Sequence, residues 1–180
     1  MSNPLKNQII IDGLEYCNWN RDIFEDLRNG GVTAVHTTLV YWENKLESFK
    51  RFDEWIELFD NIMPVDMLNF KDKEKYKDKL LSTQKKTGEK DAMLVFKGNI
   101  NKVPAIVCIF EYSFFGGSMG SVVGEKFSLA IKKCIEEKTA LVCFSASGGA
   151  RMQESLFSLF QMAKTSAALN DLSQESLPYI

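Results

Sequence analysis

The sequence predicts an α/β protein assembled from β-β-α units, with a short βαβα segment ahead of them. Three observations carry this reading. Two runs rich in β-branched and apolar residues, 92–96 and 103–110, flank a Gly-containing stretch at 98–102, the pattern of a hairpin. Two Gly-Gly pairs, Gly116-Gly117 and Gly148-Gly149, each stand between a strand-like run and a helical stripe. Before residue 60, strand and helix patterns alternate at the spacing of a parallel crossover.

Residues 8–12 form an apolar run ending in Asp-Gly, a short buried strand. Asn20 suits an N-cap, Ile23, Phe24 and Leu27 lie at helical spacing, and Gly30-Gly31 ends the helix. Residues 32–41 read as a second strand. Leu46, Phe49, Phe52, Ile56 and Phe59 then predict an amphipathic helix over 44–59. The Pro-containing stretch 61–67 marks a boundary, giving segments 1–60 and 61–180. From Lys71 to Lys90 there are eight lysines against four acids. This is either a solvated helix with Tyr76 and Leu80 inward, closed by Gly88, or a cationic surface for an anion such as a nucleotide phosphate. Pro104 places the start of its strand where no ladder N–H is needed. Met119, Val122, Val123, Phe127, Ala130, Ile131 and Cys134 mark one helical stripe, and 140–144 a buried strand. Met152, Leu156, Leu159, Phe160, Ala163 and Ala167 mark a last stripe, expected to face the core or another subunit. Residues 177–180 resemble the start of a further strand, so a chain that stops part-way through its domain is expected.

Composition sets the broad class. Of 180 residues, 45% are hydrophobic and 26% charged, as in ordinary globular chains. A formal net charge of -2 gives no reason to expect a nucleic-acid partner. No run approaches the length of a membrane span, and the first residues lack a signal-peptide core, so a cytoplasmic setting is expected. Cys17, Cys108, Cys134 and Cys143 are not spaced as C-x-x-C and read as buried thiols. His36 is the single histidine, which leaves little from which to build a Ser-His-Asp triad or a multi-histidine metal site.

Glycine at a strand-to-helix exit lets backbone N–H groups converge on one spot and hold an oxyanion without an acidic or basic side chain. The same glycines can equally serve close helix–strand packing. Ser147 could be a nucleophile, and N-capping the following helix is the competing reading. Arg151 and Glu154 have the spacing of a local i, i+3 pair. Lys164 reads as a solvated lysine or a phosphate contact.

Two resemblances extend these readings. I-I-I-D-G-L-E-Y-C-N-W and G-G-V-T-A-V-H-T-T-L-V-Y-W-E-N, within residues 1–60, resemble the opening of the membrane-dipeptidase family of metal-dependent (β/α)8-barrel peptidases. Where that family usually carries His-x-Asp, this chain has Leu14 and Tyr16, so no metal is expected to bind there. The strings K-Y-K-D-K-L, Q-K-K-T-G-E-K-D-A, F-G-G-S-M-G-S-V-V-G, L-V-C-F-S-A-S-G-G-A-R-M-Q-E and Q-M-A-K-T-S-A-A-L closely resemble the β subunit of bacterial acetyl-CoA carboxylase carboxyltransferase, over residues 59–180.

That resemblance implies a partial crotonase-like β-β-α superhelix. It implies transfer of a carboxyl group from carboxybiotin to acetyl-CoA, giving malonyl-CoA for fatty acid synthesis. It also implies as partners a carboxyltransferase α subunit, a biotin carboxyl carrier protein and biotin carboxylase. Carried onto this sequence, it makes Gly148 and Gly149 the backbone oxyanion hole. Gly116, Gly117, Ser118, Gly120, Ser147 and Ala150 become acetyl-CoA-binding residues. The family's four-cysteine zinc ribbon and the second half of its domain have no counterpart here, so the chain alone is expected to be inactive. The join of two unrelated segments leaves fusion, shuffling and an error of sequence assembly open. A dipeptidase and a non-catalytic CoA- or partner-binding fragment are the alternative functions.

Overall fold

The computed structural model describes residues 11–15, 34–37, 53–100 and 102–180, with side chains from residue 55 onward. The chain forms two compact units, Met1–Arg51 and Phe52–Ile180. In the first, β1 (Ile11–Glu15) and β2 (Ala34–Thr37) pair in parallel, with Ile11 opposite Ala34 and Asp12 opposite Val35. The parallel sense is the one a strand–helix–strand crossover requires. The strand reaches past the expected end at Asp12 to Glu15, which pairs with Thr37 after a register irregularity, and residues 8–10 lie outside the described residues. The helix expected over 20–30 and the side chains of Leu14, Tyr16, Cys17 and His36 lie outside the described residues.

The second unit is a four-stranded sheet in the order β3-β4-β5-β6, namely Asp53–Leu58, Met93–Ile100, Val103–Phe110 and Ala140–Phe144. β3 pairs antiparallel with β4 and β4 with β5, and β6 lies parallel to β5. Three helices join them: α1 (Tyr76–Thr87), α2 (Ser121–Glu137) and α3 (Leu156–Gln174). Over its described part, β3 corrects the helix expected over 44–59; residues 44–52 lie outside the described residues. Asp53–Leu58 is extended and pairs with β4, Glu57 opposite Phe96 and Leu58 opposite Val95. The apolar spacing of Ile56 and Phe59 fits either period over so short a run, and an open β4 edge decides for the strand.

The hairpin is also tighter than expected. β4 runs on to Ile100, which faces Val103, so 98–100 belong to the strand and not to the turn. Pro104 lies just outside the β5–β6 ladder, which starts at Ala105 opposite Ala140, and its missing N–H is not needed there. Ala105, Ile106, Val107, Cys108 and Ile109 are all buried, the signature of a strand covered on both faces. α2 packs Val123, Phe127, Ala130 and Ile131 into the same core, and burial of each larger side chain contributes about 1.5–3 kcal/mol.

α1 keeps the expected form. Tyr76 and Leu80 are buried, and Gly88, at φ 77, closes it by donating its N–H to the Gln84 carbonyl. α3 departs from expectation in two ways. It begins at Leu156, after a separate turn at Met152–Glu154. Its inward face is Ser158, Gln161, Thr165 and Leu172, while Met152, Leu156, Leu159 and Phe160 are 56–65% exposed. The expected stripe therefore is not core. Beyond α3, Pro178 and Ile180 accept and donate backbone hydrogen bonds along β6, so the last residues lie as a parallel neighbour of that strand.

Candidate functional site

The two glycine turns meet at the C-terminal ends of β5 and β6. The first passes through three successive residues in the left-handed region: Phe115 (φ 49), Gly116 (φ 63) and Gly117 (φ 65). A bulky residue such as Phe115 rarely adopts this conformation, at a cost on the order of 1–3 kcal/mol. The second turn, residues 145–150, is exposed along its length. Three backbone bonds join them. Gly148 N–H donates to Gly116 O at 2.8 Å, Met119 N–H to Gly149 O at 2.8 Å, and Arg151 N–H to Met119 O at 3.0 Å; Met119 and Ala150 thereby form a parallel bridge. Within the second turn, Gly149 N–H donates to Ser147 Oγ at 3.1 Å. The Ala150 N–H has no acceptor among the described residues.

The glycines separate by environment. A Cβ on Gly117 would stand 1.8 Å from the Ala146 carbonyl oxygen, and one on Gly120 would stand 2.6 Å from Glu154 Oε1. These two allow the turns to close on each other. Gly116 and Gly149 (φ 104) have nothing within 4 Å of that position and open outward. Ser118 bonds to Arg151 through its hydroxyl and its carbonyl. Contrary to expectation, Ser147 does not cap the following helix: α3 starts nine residues later, and the Ser147 hydroxyl instead accepts from Gly149 N–H within the turn.

Beneath the turns lies a buried ion network. Arg151 is fully buried and forks onto Asp91, with Nη1 2.7 Å from Oδ2 and Nη2 2.8 Å from Oδ1. Its Nη1 also lies 3.3 Å from Glu154 Oε1, which confirms the i, i+3 pair while making it the lesser contact. Glu154 Oε1 accepts from the Tyr76 hydroxyl at 2.8 Å, and Oε2 from Ser121 N–H at 2.6 Å, so Glu154 takes the place of a cap at the start of α2. Burial pulls the Arg151 guanidinium down, but hydrogen bonding and charge from Asp91 outweigh it and hold it above its usual value. Burial pushes the Tyr76 hydroxyl well up, so it serves as a neutral donor. Asp91 was not singled out from sequence and Tyr76 only as an inward-facing residue of its helix, since partners 60 and 75 residues away leave no local pattern.

A cleft of about 460 Å³ opens between the turns and α1. Lys79, Thr83 and Lys86 form one wall, Phe115, Gly116 and Ser118 another, and Ala150, Met152 and Gln153 a third. No acidic side chain lines it. Lys79 is held over the Phe115 ring at 5.4 Å. A larger groove of about 580 Å³ lies on the neighbouring face of α1 and includes no residue of either turn, so the smaller cleft is the one the turns serve. Lys164 lies outside it, ion-paired with Glu125. Among the described residues, no group of three or more His, Cys, Asp or Glu side chains forms a metal site, and no helix is long and apolar enough to cross a membrane.

No family model matches the chain. Solved structures do. Transcarboxylase 12S, a hexameric multienzyme core with methylmalonyl-coenzyme A and methylmalonic acid bound, matches over 86% of this chain and 26% of its own, at 21% identity and a TM-score of 0.56. The chain shares its fold with this enzyme. A Pseudomonas malonate decarboxylase hetero-tetramer in complex with malonate matches over 77% of this chain and 50% of its own, at 24% identity and a TM-score of 0.53. The expected crotonase-like architecture therefore holds at the level of fold, and the chain spans between about a quarter and a half of these relatives' lengths.

Proposed function

We propose that the Phe52–Ile180 unit carries the thioester-binding turns of a biotin-dependent carboxyltransferase β subunit. The reaction would move a carboxyl group from a biotinylated carrier to acetyl-CoA and yield malonyl-CoA. The observation that carries this reading is the pair of turns opening onto one cleft with backbone donors exposed. Loss of a proton from the acetyl methyl group, to the biotin nitrogen that gives up its carboxyl group, puts negative charge on the thioester oxygen, and preorganised N–H groups stabilise that charge where water is excluded. Among the described residues, Ala150 N–H has no acceptor and Gly149 N–H has only the exposed hydroxyl of Ser147, which can rotate away. Gly148 N–H is committed to Gly116 O, so in this conformation it fixes the first turn beside the oxyanion position. Gly116, Ser118 and Ala150 line the cleft as acyl-CoA contacts, while Gly117 and Gly120 act through packing.

Carboxybiotin, on a carrier protein charged by a biotin carboxylase, supplies the carboxyl group. A carboxyltransferase α subunit completes the site. The long strings shared with the acetyl-CoA enzyme support acetyl-CoA over other thioesters, and the fold supports carboxyl transfer. The dipeptidase reading is not carried forward, since Leu14 and Tyr16 offer neither an imidazole nor a carboxylate for zinc where the family usually carries His-x-Asp.

The test is Gly148→Val in the chain assembled with its partner subunit and carrier. A Cβ there would lie 3.2 Å from Gly116 O, so Gly116 O must give by a few tenths of an ångström, and the branched Val side chain crowds the bond that holds the two turns together. Malonyl-CoA formation should fall by roughly 10²- to 10³-fold, the scale of losing one preorganised donor, while assembly persists. Unchanged turnover would sink the oxyanion role.

A further inference from the structure

The cleft beside the glycine turns has a cationic wall that the turn chemistry does not use. Lys79, Thr83 and Lys86 of α1 follow one another at i, i+4 and i+7, which puts them on one helix face. Lys79 and Lys86 are seven residues apart, two turns or about 10 Å along the helix. Elsewhere in this unit, Lys90, Lys97, Lys133, Lys138 and Lys164 each reach a carboxylate. Lys79 and Lys86, like Lys71, Lys73, Lys75, Lys77 and Lys85 of the same stretch, have no carboxylate partner among the described residues; what sets these two apart is that both line this cleft, which no acidic side chain lines. Two unneutralised ammonium groups facing a common concavity create a local positive potential that attracts anions.

We propose that Lys79 and Lys86 form a phosphate clamp for the nucleotide end of a coenzyme A thioester. The inference rests on the thioester reading above and assigns the part of the ligand that the turns leave unheld. The ligand it fits is extended, with a thioester at one end and phosphates on both sides of a ribose at the other. Two cations spaced along a helix match two separate phosphate groups better than one compact carboxylate. Lys79 is positioned by the Phe115 ring, next to Gly116, so the clamp and the turn share a structural element. Thr83 between them offers a hydroxyl as a further donor.

Calorimetric titration of the full chain with three probes tests this: acetyl-CoA, adenosine 3′,5′-bisphosphate and acetyl-pantetheine. Lys86→Ala is the deciding variant, because Lys86 is exposed and carries no ion pair among the described residues. Loss of one charge-assisted phosphate contact should weaken acetyl-CoA and the bisphosphate by roughly tenfold or more and leave acetyl-pantetheine unchanged. Lys79→Ala should act likewise, and Lys79→Arg should retain most of the affinity. Equal weakening of acetyl-pantetheine, or no weakening of acetyl-CoA, overturns the clamp while leaving the thioester site standing. Lysine-dependent binding of the bisphosphate, with no gain from the thioester arm, supports the clamp and removes the carboxyltransferase reading. A wild-type chain that binds none of the three overturns both.

Discussion

In the first glycine turn a methyl group on Gly117 would be driven into the Ala146 carbonyl, whereas in the second turn one on Gly149 would meet nothing within 4 Å. Both turns are spelled Gly-Gly at a strand-to-helix exit, yet their surroundings differ. Gly117 and Gly120 are buried, and the fork of Arg151 reaches Ser118 O at 2.9 Å, so the first turn is held from below. The second turn is exposed and tied to the first by backbone bonds at Gly148 and Gly149. The contrast teaches that one turn is the support and the other the presented surface. Closeness of packing and openness to a ligand, alternatives when read from sequence, are divided between the two.

The largest effect should come from removing the support. Arg151→Ala leaves Asp91 as a fully buried carboxylate with its partner gone, and breaking a buried pair from one side costs about 3–5 kcal/mol. A chemical-denaturation curve should show that loss; a cost below about 1 kcal/mol would mean the network does not hold the turns. Next in size is Gly117→Ala against Gly149→Ala. Gly117→Ala combines a backbone clash with a positive φ, so it should cost clearly more than the ~1 kcal/mol expected of backbone strain alone. Gly149→Ala meets no atoms and should cost only the strain, with its main effect on thioester binding. Equal stability losses, measured by thermal unfolding side by side, would erase the distinction between the turns.

Much of this site was legible in the sequence. Local signals placed both Gly-Gly turns, α2, β6 and the Gly88 cap, because each depends on neighbours a few residues away. The Arg151–Asp91 fork was not legible, because it joins two points of chain that meet only after the sheet forms. Glu154 hid for a similar reason: its spacing to Arg151 suggested only a local pair, whereas it also accepts from Ser121 N–H and the Tyr76 hydroxyl. β3 was misread because Asp53–Leu58 is short and its pairing with β4 is non-local. Tertiary pairing overrides weak periodicity in such segments.

α3 supplies the smallest expected effect and the sharpest test of how its faces are assigned. Residues 156–172 carry apolar side chains on two stripes, Leu156, Leu159 and Phe160 on one and Ala168, Leu169 and Leu172 on another, so periodicity does not choose between them. The structure chooses by fit against α2. Gly124 presents no side chain, and Gln161 fills the space, with a would-be Gly124 Cβ lying 2.0 Å from its Oε1. Turning α3 to bury Phe160 there would force a ring into a gap sized for a glycine contact. Phe160, 63% exposed, therefore contributes little to the isolated chain. Phe160→Gln should change stability by no more than about 0.5 kcal/mol, the range of ordinary surface substitutions. A core phenylalanine truncated to Ala loses about 3–5 kcal/mol, so a destabilisation approaching that size would place the stripe inward and reverse the helix. Leu172→Ala, at 1% exposure, is the internal control and should cost about 2–5 kcal/mol in the same unfolding experiment.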